Sequence, residues 1–210
     1  MTRASSDELL VLHAVRLRGF TDTAATARRF ALDPGAVEEL LLDLQALGHV
    51  AWSEFAGLGG WSPTDRGRAH GEQLLAAELA AVPGGHEAVA ATYAAFLPLN
   101  DRLQSACTSW QLRPRPGDPL AENDHTDPAW DGMVVSELDE LARALVALVH
   151  RLTGVLDRFG GYDRRFSAAL DRVLAGDGSW VNRTGEDSCH TVWFELHEDL
   201  LATLGQSRGT

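Results

Sequence analysis

Three histidines lie near carboxylates in a way that could do chemistry: His125 between Asp124 and Asp127, and His190 and His197 after Asp187. Imidazole and carboxylate are ordinary ligands of a divalent metal. The spacing argues against a shared ion. His190 and His197 are seven residues apart on one helix, about 10 Å along its axis, while Zn–N bonds are about 2.0–2.1 Å. No HExxH, CxxC or HxxxH pair occurs. Hydrogen bonds inside a helical bundle are the reading for His190 and His197, and no metal or cofactor is expected. Cys189 stands beside His190 near a helix start, where a thiol pKa falls. Adjacent helical residues point about 100° apart, so the two are not a dyad. Buried, inert cysteine is the expectation. Gly57-Leu58-Gly59-Gly60 is a turn and not a phosphate cradle, so an enzyme is not expected.

The aromatic residues carry a second kind of chemistry. Tyr93, Trp110, Trp130, Tyr162, Trp180 and Trp193 all follow residue 85. Aromatics with a polar handle line small-molecule pockets as well as cores. The pocket candidates are Tyr93, Trp110, His125, Trp130, Trp180, His190, Trp193 and His197, for a small aromatic or apolar ligand.

Positive charge is the third. All 18 basic residues are arginine, against 30 acids, a net charge of -12. Phosphate binding needs cations, so the chain cannot coat nucleic acid indiscriminately. Residues 1–80 hold seven arginines and eleven acids, and the remainder is acidic too. Any nucleic-acid contact must be local. Arg28, Arg29, Arg66 and Arg68 are the candidate phosphate contacts.

Elements must position these groups. Ser5 or Ser6 caps a first helix, with Leu9, Leu12, Leu17 and Phe20 inward and Gly19 ending it. Thr21 or Asp22 caps a second, short helix, with Ala24, Ala27 and Phe30 inward. Asp33 caps a third, with Pro34 at its first position. Val37, Leu40, Leu41, Leu44 and Leu47 share one face of that helix, and Gly48 ends it. The period then falls to two: Val50 and Trp52 alternate with Ala51 and Ser53. Gly57, Gly59 and Gly60 make a turn, Trp61 to Thr64 return as a strand, and a helix follows from about Ala69 to Ala81. A helix–turn–helix followed by a hairpin and a helix is the winged-helix order.

The segment GHVAWSEF…GGWSPTDRGRAHGEQLLAAEL resembles the strand–wing–strand and following helix of MarR-type regulators. In that family the second strand reads aromatic-x-Leu-Thr-x-x-Gly. Trp61, Thr64 and Gly67 match, and Pro63 replaces the leucine. The resemblance covers about residues 5–80. It implies operator DNA binding by a homodimer, with the third helix in the major groove and with Gln45, Thr64 and the four arginines at the DNA. The third helix has no arginine, and its solvent side offers Glu38, Glu39, Asp43 and Gln45. Carboxylates repel phosphate, so a winged helix serving protein–protein contact is the competing expectation.

Val82-Pro83-Gly84-Gly85 is the domain break. A helix over His86–Trp110 should kink or split at Pro98. Residues 113–119 and 122–127 are loop. Thr126 or Asp127 caps a helix running from Pro128 to about Phe159, about thirty residues or roughly 45 Å, long enough to form the spine of a dimer, the favoured reading, or the backbone of a bundle. Phe166, Leu170, Val173 and Leu174 mark another helix. A last one runs from near Asp187 to Leu204, with Trp193, Phe194, Leu196, Leu200, Leu201 and Leu204 on its apolar face.

The expectation is therefore mainly α. Residues 1–82 form a winged helix-turn-helix with a small β-hairpin wing, and residues 86–205 form an all-helical dimerisation and ligand-sensing domain. No apolar run reaches the roughly 18–20 residues of a membrane span, and no signal-peptide pattern opens the chain, so a cytoplasmic protein is expected. The expected function is a ligand-responsive DNA-binding transcriptional regulator. The alternatives are a protein–protein adaptor and an enzyme or metal-binding protein using the helical domain.

Overall fold

A computed structural model describes residues 3–55 and 57–206. Among them the chain is mainly helical, with one small two-stranded antiparallel sheet. None of the helices is long and apolar enough to cross a membrane. The chain divides into two compact units. The first takes the described residues up to Glu87, then Val155–Arg158 and the residues from Glu198 onward; the second takes Ala88–Gly154 and Phe159–His197.

In the first unit, α1 (Asp7–Arg18), α2 (Thr23–Phe30) and α3 (Pro34–Ala46) each start at a side-chain cap. Ser6, Asp22 and Asp33 accept from the backbone N–H three residues on, satisfying one of the otherwise orphaned donors. β1 (Val50–Phe55) and β2 (Leu58–Pro63) follow, with Trp52 opposite Trp61 and Glu54 opposite Gly59. Gly59 and Gly60 thus lie inside β2, not in the turn. Aromatic rings explain them: a Cβ on Gly59 would sit 2.4 Å from Trp52, and one on Gly60 2.6 Å from Phe20.

Trp61 ties these elements together. Its backbone exchanges hydrogen bonds of 2.8 and 3.0 Å with Thr21, so the α1–α2 connection pairs with the hairpin. Its indole N–H donates to the Thr23 hydroxyl at 3.1 Å. Around it pack Val11, Leu12, Val15, Ala27, Val37, Leu41, Leu44 and Val50. Phe20 and Leu47, expected inward, are 47% and 52% exposed, and Ala24 is exposed while Thr26 is buried.

α4 (Asp65–Ala80) begins four residues before its expected start, because Thr64 caps it. The Thr64 hydroxyl accepts from Gly67 N–H at 3.0 Å and donates to the Gly48 carbonyl at 2.7 Å.

In the second unit, α5 (Gly85–Gln111, its first residues belonging to the first unit) runs unbroken through Pro98. Proline removes the N–H that would reach the Ala94 carbonyl. Both Ala94 and Pro98 are exposed, so the missing bond lies on the solvent side of the helix rather than in the core. α6 (Pro128–Thr153), capped by Asp127, stops at Gly154 and not near Phe159. Leu156 instead forms a parallel bridge with Arg3: Arg3 N–H donates to Val155 O at 3.2 Å, and Asp157 N–H to Arg3 O at 3.1 Å. α7 (Tyr162–Leu174) and α8 (Cys189–Thr203) complete the helices. Leu174 and Phe194 are exposed. The second unit's interior is built from Val89, Phe96, Leu103, Leu138, Leu141, Leu145, Tyr162, Phe166 and Trp193.

Candidate functional site

The exposed surface of α3 is acidic and apolar together. Glu38, Glu39, Asp43 and Gln45 face solvent, as do Leu42 and Leu47 at 52% exposure each. Arg28, Arg66 and Arg68 are exposed. Arg29 is half-buried, with its guanidinium 4.4 Å from the Phe30 ring centre. Its charge also acts on the buried His13 and Asp199. The Thr64 hydroxyl is committed to the backbone, as described above. Beside the hairpin, His49 and His70 stack with ring centres 4.4 Å apart, and His70 Nε2 lies 3.0 Å from Glu8. Burial, then His70 and Arg66, lowers the His49 pKa.

The first unit also encloses a charged network. Arg158 is fully buried. It donates to Glu78 at 2.8 Å, to the Thr203 hydroxyl at 2.7 Å, and to Asp199. His13 Nε2 donates to Asp199 at 2.9 Å. Sequence reasoning missed this network. Its signal was faint but present: Glu78 falls three residues after Leu75, and Asp199 three after Leu196, each in register with an apolar stripe.

The second unit holds a cleft of about 870 Å³. Its walls come from the end of α5 (Trp110, Gln111), the loop after it (Glu122, Asn123, His125), the start of α6 (Pro128, Asp131, Gly132, Val135), the end of α7 and the turn after it. Asn123, buried, organises the loop. Its side-chain amide donates to Trp110 O at 3.1 Å and to Asp131 at 2.9 Å, and its own N–H donates to Gln111 O at 2.8 Å. Its side-chain oxygen accepts from His125 N–H at 3.2 Å.

His125 adopts a left-handed backbone, φ 55°, uncommon without glycine. Its Nδ1 lies 3.0 Å from Asp131 Oδ2, so the proton on that nitrogen points at the carboxylate. Its ring centre is 4.5 Å from that of Trp110. Trp110 in turn lies on bare backbone, since a Cβ on Gly178 would come 2.6 Å from the indole.

Two ion pairs fasten the loop: Arg115 with Asp124 at 2.7 Å, and Arg113 with Asp127. The Thr126 hydroxyl and Arg115 hold the Asp124 carboxyl well below its usual range. The N–H groups of Trp130 and Ala129, with Arg113, lower Asp127. Among the described residues no arginine lines the cleft.

Of the eight pocket candidates, the cleft brings together Trp110 and His125. Tyr93, Trp193 and His197 meet elsewhere in the same unit, around Phe96. Tyr93 Oη is 3.3 Å from His197 Nε2, and the Phe96 and Trp193 ring centres are 5.1 Å apart. Trp180 is buried, with Arg172 over its ring at 4.0 Å and its indole N–H on Asp177 at 3.0 Å. His190 is exposed, its ring 6.3 Å from Phe194. Trp130 donates to Ser109 O at 2.8 Å and lines a separate hollow of about 350 Å³. There Arg102 is clamped by Glu137 and Glu140, which raise its pKa.

Sequence reasoning missed Glu122, Asn123 and Asp131. Glu122 and Asn123, in a polar loop, resemble any solvated turn, and Asp131 resembles an ordinary acid in a helix's first turn. Burial pushes the Cys107 thiol up to about 11 and that of Cys189 up to about 12, so neither is a ready nucleophile. Among the described residues no three His, Cys, Asp or Glu side chains are grouped to hold a metal.

No protein family, curated protein or solved structure matches the chain.

Proposed function

We propose that the chain is a ligand-responsive, DNA-binding transcriptional regulator that acts as a homodimer. In this reading the first unit is a winged helix and the cleft of the second takes a small effector. The observation that carries the proposal is the Thr21–Trp61 backbone pair. It joins the α1–α2 connection to a hairpin that directly follows three helices, which supports the winged-helix reading, in which the third helix would enter the major groove. Arg28, Arg66 and Arg68 supply exposed cations for phosphates, and Gln45 offers an amide for a base edge. An effector that binds better to one separation or orientation of the dimer's two winged helices than to another shifts the population between them, and so the DNA affinity.

The test is salt-dependent binding of the full chain to duplex DNA from its own gene neighbourhood. Arg66→Glu with Arg68→Glu should weaken binding at low salt. It should also flatten the dependence of log K on log salt by about 0.9 for each phosphate that the variant no longer neutralises. Absence of any salt-sensitive binding overturns the proposal. A second reading is a winged helix that docks a protein through α3, favoured by the exposed Leu42 and Leu47 among Glu38, Glu39 and Asp43. Under that reading Leu42→Arg abolishes regulation while the double arginine variant leaves it intact.

A further inference from the structure

We infer that the cleft of the second unit takes an organic cation: a planar, largely apolar molecule bearing one amine or similar positive group. The inference rests on the effector-binding reading above and adds the sign of the ligand's charge.

Charge around the cleft is one-sided. Its ionisable lining groups are Glu122, Asp131 and His125. Arg113 and Arg115, the cations of the same loop, are already engaged by Asp127 and Asp124, and neither lines the cleft. Asp131 shares its charge with His125 and Asn123. Glu122 is exposed and has no ion pair among the described residues. With His125 protonated the lining carries one net negative charge, and with His125 neutral it carries two. The sign is the same in both states.

Trp110 supplies the second, independent argument. Its indole lines the cleft, held between the Gly178 backbone and the His125 ring, whose centre is 4.5 Å from its own. The face of an indole is the most attractive of the aromatic surfaces for a cation. Pro128, Val135 and Val173 line the same cleft and give the apolar wall that a planar body needs. An anion of the same shape would meet two carboxylates and, among the described residues, no arginine. A neutral molecule would gain the wall and lose the charge attraction.

Three probes sharing one ring separate these cases: 1-naphthylmethylamine, 1-naphthylmethanol and 1-naphthylacetate, titrated calorimetrically into the full chain without DNA. The amine should bind about tenfold tighter than the alcohol, a gap of about 1.4 kcal/mol, with the acetate weakest. Glu122→Gln, which removes no side-chain hydrogen bond among the described residues, should remove most of that preference and leave the alcohol unchanged. The inference is overturned by equal affinities, by tighter binding of the acetate, by an amine preference that survives Glu122→Gln, or by no binding of any probe at about 1 mM, where affinity is worth only about 4 kcal/mol. DNA binding of the unliganded chain is measured separately. Failure of the titration with DNA binding intact removes the cation inference alone. Loss of DNA binding removes the regulator reading.

Discussion

Arg158 is the residue on which most of the first unit's buried charge depends. It faces Glu78 and Asp199 without solvent, where desolvation is costly and partners must match. Arg158→Met should therefore cost about 3–5 kcal/mol, because two carboxylates stay buried without their cation. Urea unfolding reads this, and a change within experimental error would show that the carboxylates find other partners. Protonation adds a second expectation. Burial is the main force lowering the His13 pKa, and it outweighs the opposing pull of Asp199. His49 is lowered as well, by burial and then by His70 and Arg66. An unfolded chain takes up those protons near pH 6.5, the ordinary histidine value, while the folded chain refuses them. More protons on the unfolded state means stability falls as pH falls. Asp199 works lower on the scale. Burial would raise it, but Arg158 and His13 hold it below the usual carboxylate range, so its contribution is present above about pH 4 and lost only under stronger acid. The midpoint of thermal unfolding should drop between pH 7 and 5, before carboxylates titrate. A flat profile across that window would contradict the assignment of His13 and His49 as buried neutral groups.

At the scale of elements, the join between the hairpin and α4 depends on two side chains that do opposite things. Thr64 fills hydrogen bonds at the helix start, and Gly67 leaves room. A Cβ on Gly67 would lie 1.8 Å from the His49 carbonyl oxygen, a backbone atom that cannot rotate away. Gly67→Ala should lose about 3 kcal/mol, the upper end of ordinary overpacking. Gly132→Ala, on α6 with nothing within 4 Å of the added carbon, should gain about 0.5–1 kcal/mol from the reduced freedom of the unfolded chain. Denaturant midpoints compare the two, and equal effects would mean that the close approach at Gly67 is relieved by a backbone shift. The same contrast explains which elements are legible in the sequence. Asp33 and Asp127 announce their helices because a cap acts over three residues. The end of α6 is not legible, because its cause, pairing of Leu156 with Arg3, lies far away in sequence. The effect of the proline in α5 is not legible either, because the pattern cannot say that Ala94 and Pro98 face water. Periodicity places Phe20 and Leu47 inward, since it finds a face but not where its neighbours stop.

For the whole molecule, the sequence suggests a break at residues 82–85 followed by one helical domain. The candidate cleft is half legible for a related reason: Trp110 and His125 are conspicuous residue types, whereas Glu122, Asn123 and Asp131 acquire meaning only when the loop folds over α6. The compact units do not follow chain order. Residues 155–158 and those from 198 onward belong with the N-terminal helices, and α8 supplies residues to both units. Leu9 and Leu75 form a small core with Ala202, His13 bonds Asp199, and Glu78 bonds Arg158. A fragment of residues 1–87 retains the cluster around Trp61, the caps and the hairpin, yet it exposes Leu75 and strips His13 and Glu78 of their partners. Each small unit has little apolar burial to spare, so the loss is large relative to its stability. The fragment should show weaker far-UV helical signal per residue than the intact chain and an unfolding midpoint shifted to lower urea. Were it to unfold cooperatively at the same midpoint as the intact chain, the distant segments would be ornament on an autonomous domain. The buried Arg158 network would then have no part in holding the N-terminal unit together.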